Sequence, residues 1–520
     1  MMINDILVPL LRTYFGGNGV LALAPSNKAA REIGGTTVHS GQGLTQESSL
    51  RTHALAPNAE AKRKLGRTVV PAGAVLIDEF SQLPAELNHA QALRSTYARE
   101  STYGLLRGDY SMPRERFGRM AILSYFGDHL QLPPVPHTSS LLSSLHGKSN
   151  EHRVGAAIFR NAEHCFLFRE MKRFTDRVQV QILETMRHPG GRSLTEAQWQ
   201  ALAKTEISAE QPVVPLGWYH ACYCWSIVSM AALMIARQSA REHAEPLFFV
   251  QAIDRPARLP DSCNDCLPTE RESKIKEFFA DMLRAQPNAT RRLPSFCMFH
   301  YNMRVRLTTT LAAPIAVQDV AGTVVGVELS PLDKYYNDIQ SGRQLKGEMV
   351  LSQMPLAIYV KLDNCSQQFL PEGDHPGIFA VRPKRYTWKY FLDSKSGDFI
   401  NVSRRQFALL PATACTLYSM QGTTAEPGLV AYWQTPSRAT TQVRWLIVYV
   451  MLSRPRSLAT LRSLGLGKHI REIIEGGPPT DLVESFEALF SEKIQNTKVY
   501  AEKLAKQYGL LPSLLQGDQR

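Results

Sequence analysis

The sequence predicts an α/β protein with two parallel sheets and a small β-rich insertion, and three observations support this. Short apolar strands alternate with turns and helices from residue 20 to about 165, which is the pattern of a parallel sheet covered by helices. Residues 303–329 and 355–362 alternate apolar and polar positions between short turns, as the strands of a small barrel do. The α/β pattern resumes at Ala412, so we expect the barrel to be inserted within the second sheet domain.

The first sheet is predicted from three apolar segments, at residues 20–23, 75–77 and 121–125. Ahead of them, the apolar side chains of residues 3–15 recur at helical spacing. This spacing predicts an amphipathic helix that belongs to the fold.

Three later features complete the expected architecture. Residues 446–450 form an apolar run that predicts a buried strand of the second sheet. Gly322 stands where a hairpin of the insertion would turn. Beyond Gly467, apolar residues at helical spacing predict C-terminal helices that pack on the body of the protein.

Composition limits the classes of function. The chain has 520 residues, of which 44% are apolar, enough for two or three domains with buried cores. A formal net charge of +12 favours polyanionic partners such as nucleic acid, although the basic residues are scattered along the chain. The best apolar run, at residues 227–236, is far shorter than the roughly 20 residues that a bilayer requires. We therefore expect no membrane span.

Eight cysteines without a secretory segment are typical of an intracellular protein with reduced thiols. The close pairs are Cys222/Cys224 and Cys263/Cys266, and no second pair follows at zinc-finger spacing. We expect isolated core or loop cysteines, with structural zinc as the alternative.

Two motifs carry the chemistry. VLIDEF, at residues 75–80, ends an apolar strand in Asp78 and Glu79, and GDHLQLPP follows at residues 127–134. A sheet that hydrolyses nucleotides presents one carboxylate to Mg²⁺ and a second to the attacking water. We therefore assign Asp78 to Mg²⁺, Glu79 to the hydrolytic water and Gln131 to the terminal phosphate. An isolated Asp-Glu pair could merely solvate a strand end, but the second motif argues against this alternative.

Further motifs, found in a fixed order, give the chain a specific resemblance. APSNKAA, TTVHS, VLIDEF, GDHLQLPP, TLYSMQGTT and YVMLSRPRSL resemble the motifs of PIF-type DNA helicases of superfamily one, relatives of the RecD-like and Helitron-encoded helicases. The resemblance covers most of residues 20–463. It implies two RecA-like P-loop NTPase domains, each built on a parallel sheet, with a small β-barrel insertion in the second.

The resemblance also implies a division of the chain. The first RecA-like domain would occupy residues 1–165, without its first strand and phosphate loop. The second would occupy residues 166–300 and 412–466, on either side of a β-rich accessory insertion at residues 301–411. A C-terminal helical extension would follow at residues 467–520.

Two arginines acquire a role through the resemblance. Arg173, in REMKRFTD, occupies the place of a family Arg-Gln pair in which Phe174 now replaces the Gln, and Arg454 matches the family's Ser-Arg turn. Both would neutralise charge on the γ-phosphate as arginine fingers. The nucleotide contacts implied by the family are Asp128, Gln131, Gln421, Gly422 and Arg454.

The same resemblance implies a path for single-stranded DNA. Its contacts would be Pro25, Ser26, Asn27, Lys28, His39, Ser40, Tyr418, Thr423 and Thr424. Tyr418 and Ser419 stand where the family has His-Lys, which removes one positive charge from a phosphate-tracking site. The ring of Tyr418 could instead stack on a base.

The phosphate-cradling sequence GxxxxGK[ST] does not occur in these 520 residues. The GK[ST] triplet at Gly147, Lys148 and Ser149 has Leu142 where the first Gly is required, so we interpret it as an unrelated loop. Residues 3–15 hold the position of the helix that follows the phosphate loop in the family. We expect the chain to begin just downstream of that loop, as a truncated or incompletely determined gene product, or as a degenerate copy.

These observations predict an ATP-dependent DNA helicase that moves 5′ to 3′ on single-stranded DNA, or an incomplete copy of one. Its cofactors would be ATP and Mg²⁺, and its partners single-stranded DNA and DNA junctions. We expect a monomeric motor, intracellular and nuclear in a eukaryote, that serves repair, recombination or transposition. The alternative is a catalytically inactive relative that binds single-stranded DNA. A metabolic P-loop kinase would not explain GDHLQLPP followed by a Ser-Arg turn.

Overall fold

The computed structural model describes most of the chain. The described residues are 2–44, 57–103, 116–134, 139–168, 171–207, 214–260, 268–285, 287, 289–313, 315–370, 375–392, 397–435 and 439–509. The pair Cys263/Cys266 lies outside them, and the six cysteines inside them are all free. Across the described residues, no helix has the length and apolar character needed to cross a bilayer.

The strands run along the chain in five sheets. In order they are β1 (Val20–Ala24), β2 (Thr36–Thr37), β3 (Ala74–Ile77), β4 (Ile122–Tyr125), β5 (Tyr219–Cys222), β6 (Leu247–Gln251), β7 (Ile253–Pro256), β8 (Phe296–Phe299), β9 (Arg304–Leu307), β10 (Ala321–Glu328), β11 (Glu348–Val350), β12 (Ala357–Leu362), β13 (Ile378–Val381), β14 (Lys384–Phe391), β15 (Phe399–Gln406), β16 (Leu409–Pro411), β17 (Ala414–Thr416), β18 (Leu429–Tyr432) and β19 (Leu461–Leu464).

The helices alternate with these strands. In order they are α1 (Val8–Phe15), α2 (Asn27–Glu32), α3 (Val38–Gly41), α4 (Ala59–Thr68), α5 (Ala85–Tyr103), α6 (Asn150–Arg160), α7 (Arg177–Arg187), α8 (Glu196–Ala203), α9 (Trp225–Glu242), α10 (Pro268–Arg284), α11 (Tyr336–Gln340), α12 (Leu417–Met420), α13 (Thr441–Leu452), α14 (Lys468–Glu475) and α15 (Thr480–Gln507). A π-helical turn at Met2–Leu7 leads into α1, and short 3₁₀ turns occur at Phe80–Gln82, Arg116–Gly118 and Leu458–Thr460.

The first sheet is parallel, as predicted, with the order β2-β1-β3-β4. All four residues of β3 are buried, because β1 and β4 flank it on both sides. The residues of the outer strand β4 are only half-buried. The sequence prediction of these strands is confirmed to within one residue at most ends. The sheet brings the carboxyl ends of β1 and β3 to one edge, where Asp78 N donates to Leu23 O at 2.9 Å.

The N-terminal helix forms where its spacing predicts, but its apolar face is only partly buried. Ile6, Leu10 and Tyr14 are 57%, 63% and 82% exposed, whereas Val8 is buried. The predicted helix therefore packs on the fold through only part of this face, since Ile3 contacts a small apolar cluster while the other three side chains face outward. Helical spacing identifies a face, but it does not identify the surface that covers it.

The second sheet is also parallel, with the order β17-β5-β18-β19. The predicted strand at residues 446–450 is wrong, because this segment lies within the helix α13. Thr440 caps the helix by accepting from Val443 N. Every residue from Trp445 to Leu452 is buried, so no polar face was available to reveal the helical period. A continuous apolar run alone does not distinguish a buried strand from a buried helix.

The β-rich insertion is mostly antiparallel, except that its strand β11 pairs in parallel with β6. Its largest sheet has five strands in the order β13-β12-β10-β9-β16, and this order does not confirm the expected small barrel. Gly322 does not turn a hairpin, because it lies within β10 and pairs with both Val305 and Leu362. A Cβ atom there would lie 2.5 Å from Lys361 O. Close strand approach therefore explains this glycine.

The C-terminal helix α15 packs on the first sheet domain after leaving the second. Leu482, near its start, contacts the apolar cores of both. Further along, Phe486 stacks on His129 with ring centroids 3.8 Å apart, and Phe490 packs edge-on against Phe159 at 5.4 Å. The helix therefore ties the two parallel sheets together, as the predicted packing of C-terminal helices on the body requires.

Candidate nucleotide and DNA site

Asp78 and Glu79 lie directly after β3, at the carboxyl edge of the first sheet. Glu79 is 7% exposed and adopts a left-handed backbone with φ of 52°, a conformation that is costly for a residue with a side chain. Burial and the neighbouring Glu79 raise the pKa of Asp78 to about 7. Burial also raises the pKa of Glu79, although Gln421 and Arg454 act in the opposite direction. Perturbed carboxylates of this kind are typical of functional sites.

Gln421 reaches Glu79 from the segment that follows β17. Its side-chain amide donates to Glu79 Oε2 at 3.1 Å and to Ser81 Oγ at 2.8 Å. The next residue, Gly422, has φ of +78°, and a Cβ atom there would lie 2.9 Å from Glu79 Oε1. Two residues assigned to the nucleotide are therefore held against the catalytic-base candidate of the other sheet.

Arg454 is 1% exposed and lies just after α13. Its guanidinium donates to Val450 O at 3.1 Å, Thr423 O at 3.3 Å and Ser453 Oγ at 2.8 Å. Burial and the nearby charge of Arg173 lower the pKa of Arg454 to about 10. The guanidinium is therefore fixed by its own segment and by Thr423, where it feels the charge of Glu79, as a preorganised cation must be.

Arg173 joins the same cluster through its neighbour. It donates to Ser453 O at 3.3 Å, so both candidate arginine fingers are attached to one turn. Phe174, which replaces the family's Gln, packs against the core of the second sheet. Its apolar ring explains how the position is tolerated without the polar contact.

Asp128 has partners that the sequence did not indicate. It forms an ion pair with Arg187 at 2.8 Å and accepts from Tyr449 Oη at 2.9 Å. Burial alone would raise the pKa of Asp128, but the charges of Arg187 and His129 outweigh it and lower the pKa. Asp128, a predicted nucleotide contact, thus links the first sheet to α7 and α13.

Gln131 lies beside Asp128, and one of its hydrogen-bonding atoms has no partner among the described residues. Its backbone N–H donates to Asp128 O at 3.1 Å. Its side-chain oxygen is buried and has no hydrogen-bond partner among the described residues. Buried polar atoms are normally paired, so this atom fits a residue that contacts a ligand.

The residues assigned to DNA lie on two neighbouring segments. Pro25, Asn27 and Lys28 are half-buried at the start of α2, and Ser26 caps that helix by accepting from Ala29 N at 3.2 Å. Ser40 is exposed and accepts from Lys64 Nζ at 2.9 Å. Burial lowers the pKa of His39, which therefore offers a neutral ring rather than a charge.

The side chain of Lys28 contacts Tyr219 of the second sheet. Its ammonium lies 5.4 Å from the ring centroid of Tyr219, and burial lowers its pKa. Lys28, Tyr219, Arg306 and Ser419 line one cavity of about 1260 Å³. This cavity connects the first segment with the segment after β17.

The remaining DNA candidates belong to that second segment. Tyr418 lies near Tyr223, with ring centroids 6.4 Å apart, and burial raises its pKa to about 12. Its ring is half-buried, which limits the surface that a base could stack on. Thr423 and Thr424 are half-buried in the following turn, where Thr423 O accepts from Arg454.

Comparison with solved structures decides the fold. Pif1 helicase from Candida albicans matches with a TM-score of 0.56 and 16% identity over 94% of this chain and 93% of its own. Pif1 helicase from Bacteroides in complex with ADP-AlF3 and ssDNA matches with a TM-score of 0.55 and 16% identity over 94% and 91%. The chain has the fold of the Pif1 helicases. The resemblance predicted from its motifs is thus confirmed at the level of the fold.

A third Pif1 structure, of two coordinating helicases at forked dsDNA, matches with a TM-score of 0.53 and 17% identity over 93% of this chain and 91% of its own. No protein-family model and no curated protein sequence matches the chain. The likeness to the Pif1 helicases is therefore one of structure. The sequence identity is too low for the roles of their residues to be assigned to residues of this chain.

Within this Pif1 fold, sequence reasoning missed Arg187, Tyr449, Ser81 and Tyr219. Tyr449 was hidden by the wrong strand prediction, since only a helix brings residues four apart close enough to stack, as Tyr449 does on Trp445 with ring centroids 5.0 Å apart. Arg187 ends the amphipathic helix α7, but nothing in its neighbourhood identifies Asp128 as its partner. Such contacts depend on tertiary structure alone.

Proposed function

We propose that this chain is an ATP-dependent DNA helicase that moves 5′ to 3′ on single-stranded DNA. The observation that carries the proposal is the hydrogen bond from the Gln421 side chain to the Glu79 carboxylate. It connects the first sheet to the segment that follows β17. A motor must couple the state of its nucleotide to its grip on the strand. A contact between these two segments supplies a route for that coupling.

The cluster divides the chemistry among its side chains. Glu79, whose pKa is raised by burial, is suited to orient or deprotonate the attacking water. Arg454, and Arg173 beside it, would neutralise charge on the terminal phosphate. Gln131, whose side-chain oxygen has no partner among the described residues, would contact the terminal phosphate.

Asp78 fits Mg²⁺ by the chemistry of its donor atoms. The described residues contain no group of three or more His, Cys, Asp or Glu arranged to hold a metal ion. This suits Mg²⁺, which proteins bind through one or two carboxylates while the phosphates and water complete its shell. Bound there, the ion would offset the charge of the phosphates.

A second candidate function is supported by the absence of GxxxxGK[ST] from the 520 residues. Without that loop, no backbone cradle surrounds the triphosphate. The chain would then be a non-hydrolysing relative that binds single-stranded DNA. Both candidates require the strand contacts, so only turnover separates them.

The test compares this chain with a version that carries a strand and a GxxxxGK[ST] loop ahead of α1. The helicase proposal expects marginal ATP turnover from the first and DNA-stimulated turnover from the second, abolished by Glu79→Gln. Unwinding by the second version should require a 5′ single-stranded tail. The non-hydrolysing candidate expects DNA binding without turnover in both. Robust DNA-stimulated turnover by the chain alone would contradict the need for the loop.

A further inference from the structure

A three-stranded antiparallel sheet, in the order β14-β15-β7, presents one basic and aromatic face outward. Alternation along β14 and β15 places Arg385, Lys389 and Phe391 on the same side as Arg405 and Phe399. Arg385 pairs directly with Arg405, and Phe391 with Phe399. Arg255 of β7 is exposed beside them, paired with Ser403. We call this surface, carried by these six side chains, the outer face.

The opposite side of the sheet is buried and packs against the rest of the protein. Trp388, Ile400 and Val402 are buried there against α10. Arg404 and Asp254 form a fully buried ion pair at 2.7 Å, and Arg404 also donates to Met282 O at 2.7 Å. These contacts fix the strands, so the outer face is preorganised and little order is lost when it binds a ligand.

Charge is segregated between the two sides. Asp254 is the one acidic residue in the three strands, and it forms its ion pair with Arg404 on the buried side of the sheet. The outer face carries four cations and no acid. Among the described residues none of these four cations forms an ion pair. Their field is therefore available to a polyanion.

The aromatic residues narrow the choice of polyanion. Phe391 is 56% exposed and Phe399 39% exposed, and the two rings lie beside each other with centroids 6.0 Å apart. Lys389 Nζ lies 4.1 Å from the centroid of the Phe399 ring, so a cation and a stacking surface are adjacent. Exposed rings interleaved with cations bind unstacked bases and their phosphates. A duplex keeps its bases stacked inside and offers nothing to the rings.

We propose that the outer face is a second binding site for single-stranded DNA, separate from the cavity lined by Lys28. The eight residues of β14 span about 26 Å, long enough for several nucleotides. None of the six residues lines the Lys28 cavity. The site does not rest on ATP hydrolysis, and it would hold a strand whether or not the chain is a motor.

The first test locates the strand directly. An oligothymidine carrying 5-iodouracil is photo-crosslinked to the full chain without ATP, and the modified peptides are identified by mass spectrometry. We expect cross-links on the β14 and β15 peptides, at Phe391 or Phe399. They should persist in Lys28→Ala. Cross-links confined to the peptides around Lys28 and Tyr418 would overturn the proposal while leaving the proposed function intact.

The second test measures the contribution of each kind of side chain by fluorescence anisotropy. The double variant Arg385→Gln, Arg405→Gln should reduce the log-log salt slope of binding by about 1.4, since each neutralised phosphate contributes about 0.7. Phe391→Ala and Phe399→Ala should each weaken binding roughly fivefold or more. The matched control, Lys503→Gln with Lys506→Gln on exposed positions of α15, removes the same charge and should leave the slope unchanged.

Three outcomes would overturn the outer-face proposal. They are equal losses in the control and the arginine variant, binding of duplex DNA as tight as that of the single strand, and a preference for RNA over DNA. Because all six residues are at the surface, circular dichroism should show the same melting for every variant. A variant that melted differently would be replaced by its single substitutions.

Discussion

The side-chain amide of Gln421 donates to Glu79 Oε2 across 3.1 Å and so joins the two parallel sheets at the carboxylate that we propose as the catalytic base. The contact is buried, with Gln421 only 4% exposed. This pairing of Glu79 requires the second sheet to be in place. Opening of the sheets would break this contact and expose the carboxylate to water.

Replacing Gln421 tests how strongly this contact holds the sheets together. Gln421→Ala leaves Glu79 and Ser81 buried without their donor, so the free energy of unfolding should fall by about 1 to 3 kcal/mol. Gln421→Glu should cost more, because it places a carboxylate against a carboxylate. Urea denaturation measures both. Gln200→Ala, on an exposed helix position, is the control and should change stability by less than about 0.5 kcal/mol.

Gly422→Ala should destabilise the protein more than its backbone angle explains. The new Cβ atom would lie 2.9 Å from Glu79 Oε1, and Glu79 cannot yield without losing Gln421. Gly342→Ala is the matched control, because Gly342 has a similar φ of +71° but no atom within 4 Å of its Cβ position. The control should cost about 1 kcal/mol from backbone strain. An equal loss of stability at both glycines would contradict the close packing of Gly422 against Glu79.

Asp78→Asn should stabilise the protein at pH 8 and not at pH 3.5. The pKa of Asp78 is raised to about 7 in the fold, against about 3.9 in an unfolded chain. The folded state therefore binds the extra proton between about pH 4 and 7, and stability falls as pH rises through that window. Removing the group should recover about 2 to 4 kcal/mol above it. The same stability difference at both pH values would show that Asp78 is not perturbed.

Arg454→Ala should affect both stability and turnover. The guanidinium donates to two buried acceptors and one half-buried acceptor, so its loss should lower the free energy of unfolding by about 2 to 5 kcal/mol. In the version that carries the phosphate loop, kcat should fall by roughly 10³ to 10⁵ while ATP binding changes far less. Lys is a poor substitute, because a point charge cannot reproduce the planar donor. Arg173→Ala should act in the same direction, but less.

The neighbouring Arg456 is the control for Arg454. It is about half exposed, and its ion pair with Glu426 lies at the surface, where such pairs contribute little. Arg456→Ala should therefore leave both stability and turnover near the values of the unmodified chain. If Arg454→Ala kept near-normal DNA-stimulated turnover, the finger role would be assigned to the wrong residue.

The sequence predicted those parts of the site that follow directly from strand ends. Asp78 and Glu79 are where VLIDEF places them, because a parallel sheet aligns the carboxyl ends of its strands. The helix α13 was not predicted, since its buried faces leave no polar period. The partners of Asp128 and the outer face could not be predicted either. They bring together residues far apart in the chain, such as Arg255 and Ser403, which no local pattern connects.

The central claim is that single-stranded DNA crosses the two parallel sheets through the segments around Lys28 and Tyr418. The most direct measurement is fluorescence anisotropy over a salt series, in the Arg385→Gln, Arg405→Gln background so that the outer face contributes little. We predict an affinity that falls as salt rises, by about 0.7 log units per log unit of salt for each neutralised phosphate, and a slope lowered by about 0.7 in Lys28→Ala. An affinity that is flat with salt, or unchanged by Lys28→Ala, would contradict the claim.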